Sequence, residues 1–494
     1  MQAAEHPVGL RDATPLPRPS SARRGAWRVA VPALAGTLLA LTPVPDGLAP
    51  NAWYYFALFV TVILAIITEP IPAAALGLAG VSAAAILGLV RDTPAAGAQW
   101  ALSGFGNTIV WLIFAAFMFT VGYAQTGLGR RVALHLVRAL GHRTLGLGYA
   151  VALADLAFAP FTPSATARSA GTIYPVISHI PQLYGSHPGD GTARLLGAYL
   201  LYTALAVSFV TSSMFITALA PNALAITIIQ QTAGVRISWI DWFVGFAPVG
   251  FTLLAITPLV LYKIYPPEIR SASAVPRWAA DQLRLMGPMT RQEMTLFALI
   301  ATALALWIGA ASYMDPALTA VVIVLLMVVS GVVSWDDVIG QKQAWNVLIW
   351  FGTLVTLAGG LAETGFVAWV AKAVAPSLTG LSLYAAIAAI VGVFFFLHYF
   401  FASITAHTAT LLPVFLGVAL TISDISPTRW SMVLGYSLGL MGVLTFYASG
   451  QSVIYYASGY ITRRAFWTLG LIVGTMYVAV YLAIIVPWLA WLGV

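Results

Sequence analysis

The sequence predicts an all-α polytopic membrane protein of about 11 transmembrane helices, with two re-entrant hairpins arranged as an inverted repeat. Three observations carry this prediction. Of 494 residues, 60% are apolar and only 8% charged, with a mean hydropathy of +0.90, against roughly 25% charged in an average soluble domain. Apolar runs long enough to span a bilayer, such as 53–68 and 467–494, hold no charge at all. Short motifs of the first half recur in order in the second half at an offset of 238 or 239 residues. With 23 basic and 16 acidic residues, charge cannot cover a water-facing surface of this size. A soluble enzyme, a nucleic-acid binder, a repeat scaffold and a disordered regulator are excluded. A membrane barrel would show short segments of alternating polarity instead.

The elements follow in order. Residues 1–28 hold Arg11, Arg18, Arg23, Arg24 and Arg28 among Pro, Ser and Ala, and form a basic cytoplasmic tail by the positive-inside rule. No small-residue cleavage site follows it, so a signal peptide is not expected. The first half, 29–266, contains apolar spans near 29–45, 51–68, 71–90, 104–124, 195–230 and 239–265. Its stretch 144–180 is interrupted by Pro, Ser, Thr and Arg and is expected to be a re-entrant hairpin. A polar cytoplasmic linker, 267–291, separates the halves. The second, inverted half, 292–494, contains spans near 292–312, 316–334, 345–362, 428–460 and 465–493, with an interrupted hairpin at 381–420. The net charge of +7 sits in the tail and short loops, which points to membrane orientation and not to nucleic acid. There is no cysteine, so disulfides and thiolate chemistry are absent.

The repeat is specific in its details. Ala124-Gln125-Thr126-Gly127 recurs as Ala362-Glu363-Thr364-Gly365, and Ser164-Ala165-Thr166-Ala167-Arg168 as Ser403-Ile404-Thr405-Ala406-His407. After Gly127 come Arg130, Arg131, Arg138 and Arg143, whereas after Gly365 comes only Lys372. The first arm therefore faces the cytoplasm and the second the outside, with the N-terminus inside and the C-terminus outside. Inverted repeats that meet at broken helices are an architecture of secondary transporters.

A broken intramembrane helix frees backbone N–H groups, and helix N-termini converging on one place favour an anion. Ser164, Thr166, Ser403 and Thr405 add hydroxyl donors at the two hairpin tips. Alone, such residues satisfy nearby carbonyls; matched at both tips, they are read as substrate ligands. Arg168 and His407 occupy equivalent positions behind the tips, and each either faces substrate or is structural, Arg168 having Asp155 as a candidate ion-pair partner. A second pair of breaks is expected at 218–222 and 448–452, where Pro221 and Gly450 interrupt the helix. Each is a kink or a further part of the site. His398, Glu69 and Asp241 are read as structural. No phosphate loop, nucleophile elbow or metal-ligand cluster occurs, so neither an enzyme nor an ATP-driven pump is expected, and no cofactor.

These residues resemble a known family. Pro163-Ser164-Ala165-Thr166-Ala167-Arg168 with Ser169 to Pro175, Thr126 to Arg131, Arg143 to Tyr149, and His398 to Ser403 are similar to the divalent-anion/sodium symporters. The likeness is strongest to their bacterial citrate, tartrate and 2-oxoglutarate/malate translocators, from about residue 30 to the C-terminus. The resemblance implies a homodimer in the cytoplasmic membrane whose transport domain moves substrate against a scaffold by an elevator motion. It also implies that Ser164, Thr166, Ser403 and Thr405 bind carboxylate, and that Asn222 and Ser449 belong to the family's second pair of breaks. In the family each tip reads Ser-Asn-Thr, and the Asn helps to bind sodium. Here those positions are Ala165 and Ile404, so both sodium sites lose a side-chain oxygen. The expected function is exchange of C4–C6 di- or tricarboxylates, substrate against counter-substrate, without sodium. A sodium-coupled symporter is the alternative within the class, and a small-anion channel or receptor the alternative outside it.

Overall fold

In the computed structural model, residues 25–310, 313–378, 380, 382–422 and 424–494 are described. The expected tail over 1–28 lies outside them as far as position 24, and its last residues already enter a helix. The first half runs α1 (Ala26–Leu41), α2 (Pro50–Thr68), α3 (Ala73–Ile86), α4 (Pro94–Leu102), α5 (Thr108–Thr126), α6 (Leu128–Leu140), α7 (Thr144–Phe158), α8 (Tyr174–Ile177), α9 (Gly197–Met214), α10 (Ala220–Ala233) and α11 (Trp239–Ile264). After α12 (Val275–Met286), the second half runs α13 (Arg291–Gly309), α14 (Pro316–Val329), α15 (Trp335–Gly340), α16 (Lys342–Glu363), α17 (Phe366–Val374), α18 (Leu383–Phe396), α19 (Ile404–Ala419), α20 (Pro427–Leu440), α21 (Gly450–Ala457) and α22 (Arg463–Trp491). Among the described residues, nine helices are long and apolar enough to cross a membrane, and two of them are the incoming arms Thr144–Phe161 and Leu383–Phe400. The protein is a multi-pass, all-α membrane protein.

The repeat is visible in the folded chain. Gly127 and Gly365 both adopt left-handed backbone, with φ of 78° and 84°, which a side chain would resist. Each turns a long apolar helix, α5 or α16, into a short amphipathic arm, α6 or α17. Packing is reciprocal: α3 lies against α16, and α14 against α5. The core is built on α9, buried along its whole length, and on α20, which packs against it. Small and hydroxyl residues at Thr203, Ser208, Thr211, Ser212 and Ser213 let neighbouring backbones approach α9 closely.

The linker 267–291 departs from the polar loop expected of it. Val275, Ala279 and Leu283 fall on one face of α12 and are buried as it packs on α6. Its low average hydropathy hid this amphipathic period. Arg131 pairs with Glu293 at 2.7 Å and donates to Gly287 O at 2.8 Å. Arg130 reaches Gln282 Oε1 at 2.7 Å. The basic arm is thereby tied to the linker.

The inversion has a direct test, since single cysteines can be introduced into a chain that has none. An impermeant thiol reagent applied outside intact cells is expected to label cysteine at 372 and 494 but not at 138. Labelling at 138 and not at 372 would defeat the inverted arrangement.

Candidate functional site

Four helices stop and restart in the interior, in two repeat-related pairs. In the first stretch, α7 gives way to a 3-10 turn at Ala159–Phe161, and Pro160 and Pro163 prevent its continuation. The chain resumes as a π-helical segment, Thr166–Ile173, with Ser164 Oγ accepting from Ala167 N at 3.2 Å. The matching stretch passes from α18 through Leu397–Phe400 into α19, capped by Ser403 Oγ, which accepts from Ala406 N at 3.3 Å. The second pair lies between α9 and α10, with Pro221 in the first helical turn, and between α20 and α21, with Ser449 Oγ accepting from Ser452 N at 3.3 Å.

Cross-packing brings the four breaks together. Helix α10 of the first half packs on α19 of the second, and α21 of the second packs on the π-helical segment of the first. Between them lies a cavity of about 210 Å³, lined by Ser164, Ala165, Thr166, Leu219 to Pro221, Ser403, Ile404, Thr405, and Ser449 to Gln451. The repeats meet tightly here: a Cβ on Gly450 would stand 2.9 Å from Thr166 Oγ1. None of the side chains lining the cavity is charged. What it offers is four helix N-termini, each carrying about +0.5 of an elementary charge; at α10 Ala220 N donates to Pro163 O at 3.0 Å and Pro221 has no N–H, so the freed N–H groups belong to the other three. Two larger clefts, about 920 and 1120 Å³, run beside the outgoing arms at Gly171–Leu183 and Gly417–Asp424. They hold none of the four breaks.

Five of the expected site residues, Ser164, Thr166, Ser403, Thr405 and Ser449, line this cavity. Three do not. Arg168 is fully buried behind it, where Nε meets Asp155 Oδ2 at 3.0 Å. Its Nη1 donates to Thr162 O at 3.0 Å and Ala218 O at 2.9 Å, and its Nη2 to Ser212 Oγ at 2.8 Å. The substrate-facing reading of Arg168 gives way to the internal pair, because every guanidinium nitrogen is committed to the protein. Asn222 donates from Nδ2 to Ser212 O at 2.6 Å and Phe215 O at 2.9 Å, closing the frayed end of α9. His407 lies buried among the rings of Phe394, Phe401 and His398, 4.6, 5.0 and 5.2 Å away. Of the residues read as structural, His398 Nε2 donates to Ala448 O at 3.2 Å, Asp241 completes a capping box with Ser238, and Glu69 ends α2. Sequence reasoning missed Gln451 and Trp350 at the cavity wall. Gln451 stood inside a break already singled out; Trp350, in an uninterrupted helix, gave no signal.

Residues 23–494 match the sodium:sulfate symporter transmembrane region. The chain belongs to the sodium:sulfate symporter family. This is the family of divalent-anion/sodium symporters that its motifs resemble. Two relatives, the L-tartrate/succinate antiporters of Escherichia coli (strain K12) and Shigella sonnei (strain Ss046), are each 42% identical over 480 residues, covering 95% of this symporter-family chain and 98% of their own. Among solved structures, the Alcanivorax borkumensis YdaH transporter aligns with a TM-score of 0.56 at 15% identity, over 79% of this chain and 87% of its own. Neisseria gonorrhoeae MtrF aligns with a TM-score of 0.55 at 14% identity, over 95% of each chain. These two share the fold.

If Arg168 is a clamp, removing it should unfold the protein more than it weakens binding. Arg168→Ala leaves the Asp155 carboxylate buried without a counter-charge and is expected to cost about 3–5 kcal/mol, read as a lower thermal midpoint in detergent. Arg168→Met combined with Asp155→Leu should recover most of that loss. An unchanged midpoint in Arg168→Ala with transport abolished would return Arg168 to the substrate.

Proposed function

We propose that this protein is an exchanger of C4–C6 dicarboxylates in the cytoplasmic membrane. The observation that carries the reading is the convergence of four helix N-termini on one cavity without a charged side chain. Four partial charges of about +0.5 sum to about +2, which balances a dicarboxylate and leaves a tricarboxylate with excess charge. The carboxylates are bound by the hydroxyls of Thr166 and Thr405 and by the freed N–H groups at the tips, with Ser164, Ser403 and Ser449 capping the helices that supply them. The antiporter function of relatives 42% identical over 95% of the chain supports the same substrate class.

Exchange follows from the same charge balance, by a route that does not need Arg168. Without substrate, the tip N–H groups that the capping serines do not take lack acceptors, and carrying them through a water-poor path costs free energy. Loaded with a dianion, the site is nearly neutral and its donors are satisfied. Ala165 and Ile404 leave the cavity wall without side-chain oxygens where sodium ligands would stand, so the reading is sodium-independent. The protein acts as a homodimer in the lipid bilayer, N-terminus inside and C-terminus outside. The 144–180 and 381–420 stretches are re-entrant hairpins that ride with the transport domain in an elevator motion. The two larger clefts beside their outgoing arms give access from opposite faces.

Labelled succinate uptake into proteoliposomes tests the coupling. It is expected to require internal dicarboxylate and to ignore an inward sodium gradient; equal uptake into vesicles without counter-substrate, driven by sodium, would make the protein a symporter. Thr166→Val and Thr405→Val keep the volume and remove a donor. Each should weaken apparent substrate affinity by about 5- to 150-fold, and wild-type affinity in both would reduce the tips to a structural role.

A further inference from the structure

The four broken helices do not enclose the cavity by themselves. Its wall also includes Phe117 of α5 and Gln343, Val347 and Trp350 of α16. The last three are spaced i, i+4 and i+7 and form one stripe along an uninterrupted helix. α16 packs on α2, α3 and α5, which are also unbroken, and meets the broken helices at α10 and α19. The cavity thus lies on a seam between two groups of helices. Gln343 is the second residue of α16. The arm that follows α16 carries Lys372 and, on the orientation read from charge, faces outside. α16 therefore starts at the cytoplasmic end, and Gln343 stands at the cytoplasmic mouth of the cavity. Gln343 is exposed, whereas Val347 and Trp350, one and two turns deeper, are half-buried.

Among the described residues, the Gln343 amide has no hydrogen-bond partner. It is free to rotate and to present its NH2 to a carboxylate oxygen at the mouth. The repeat supplies no equivalent on the other side. At the offset of 238 that relates α16 to α5, the position matching Gln343 is Phe105, which has no side-chain donor. We propose that Gln343 is a substrate ligand of the cytoplasm-facing state alone, donating to a carboxylate as the dianion enters or leaves on that side. This rests on the reading of the protein as a dicarboxylate carrier whose broken helices move against α5 and α16. Such a movement carries the hydroxyls and helix ends of the breaks along with the substrate and leaves Gln343 behind.

The test compares the two faces of the membrane. Inside-out vesicles present the cytoplasmic face to the medium, and right-side-out vesicles the outer face. In Gln343→Leu, the concentration of labelled succinate that gives half-maximal exchange is expected to rise about 2- to 12-fold in inside-out vesicles. In right-side-out vesicles it should stay unchanged. Gln343→Glu sets a carboxylate where the dianion enters; it should raise the value further on the same side, and added salt should narrow the difference. Either variant suffices should the other fail to fold. An unchanged value in inside-out vesicles would overturn the assignment, as would a rise shared equally by both faces or confined to the outer one. Wild-type vesicles that exchange no C4 dicarboxylate would overturn the underlying reading, and this one with it.

Discussion

Everything at the centre of this protein depends on how it satisfies backbone that has been interrupted in an apolar interior. In hydrocarbon an unpaired peptide group costs several kcal/mol, so broken helices survive only where protein or a water-filled cavity supplies partners. The carbonyl ends of the first two breaks are met by Arg168, which donates to Thr162 O and Ala218 O from a single nitrogen. Asn222 closes the end of α9, and in the second half His398 reaches Ala448 O. With the carbonyl ends satisfied from behind, the amide ends are free to face the cavity. The site takes its polarity from this division.

The division also explains why a cationic side chain is not needed in the cavity itself. A guanidinium within reach of a dicarboxylate would bind one end strongly and hold it, whereas the dipoles of four helix ends distribute the charge. Arg168 and Asp155 are drawn back into a neutral pair, and Thr211 Oγ1 donates to Asp155 Oδ2 as well. The pair contributes no net charge to the site and a great deal to its shape. A buried ion pair of this kind is weak as a source of stability; here it joins two breaks that lie far apart in the chain.

Most of the fold was legible because hydropathy and repetition are strong signals in a membrane protein. Spans such as Pro50–Thr68 and Thr108–Thr126 fall where uncharged runs lie, and the breaks fall at Pro, at Ser-x-Thr clusters and at Gly450. α12 was not legible, because its apolar face is narrow and its mean composition polar. Among the cavity-lining residues, Ser164, Thr166, Ser403 and Thr405 could be named because matched hydroxyls at matched breaks are unusual, and Ser449 because it stands in a second break that the family resemblance marks. Arg168 could not be resolved from sequence. A cation just past a hairpin tip reads identically whether it turns toward the cavity or toward Asp155, and only the packing of α9 decides.

The close meeting of Gly450 with Thr166 has a consequence for the history of the molecule. Two copies of one ancestral segment ordinarily accumulate changes separately. Where a hydroxyl of one copy fills the space that a methyl of the other would need, a side chain can be added at Gly450 only if Thr166 shifts or becomes smaller. At this point of the cavity wall, what one half may carry depends on the residue held by the other.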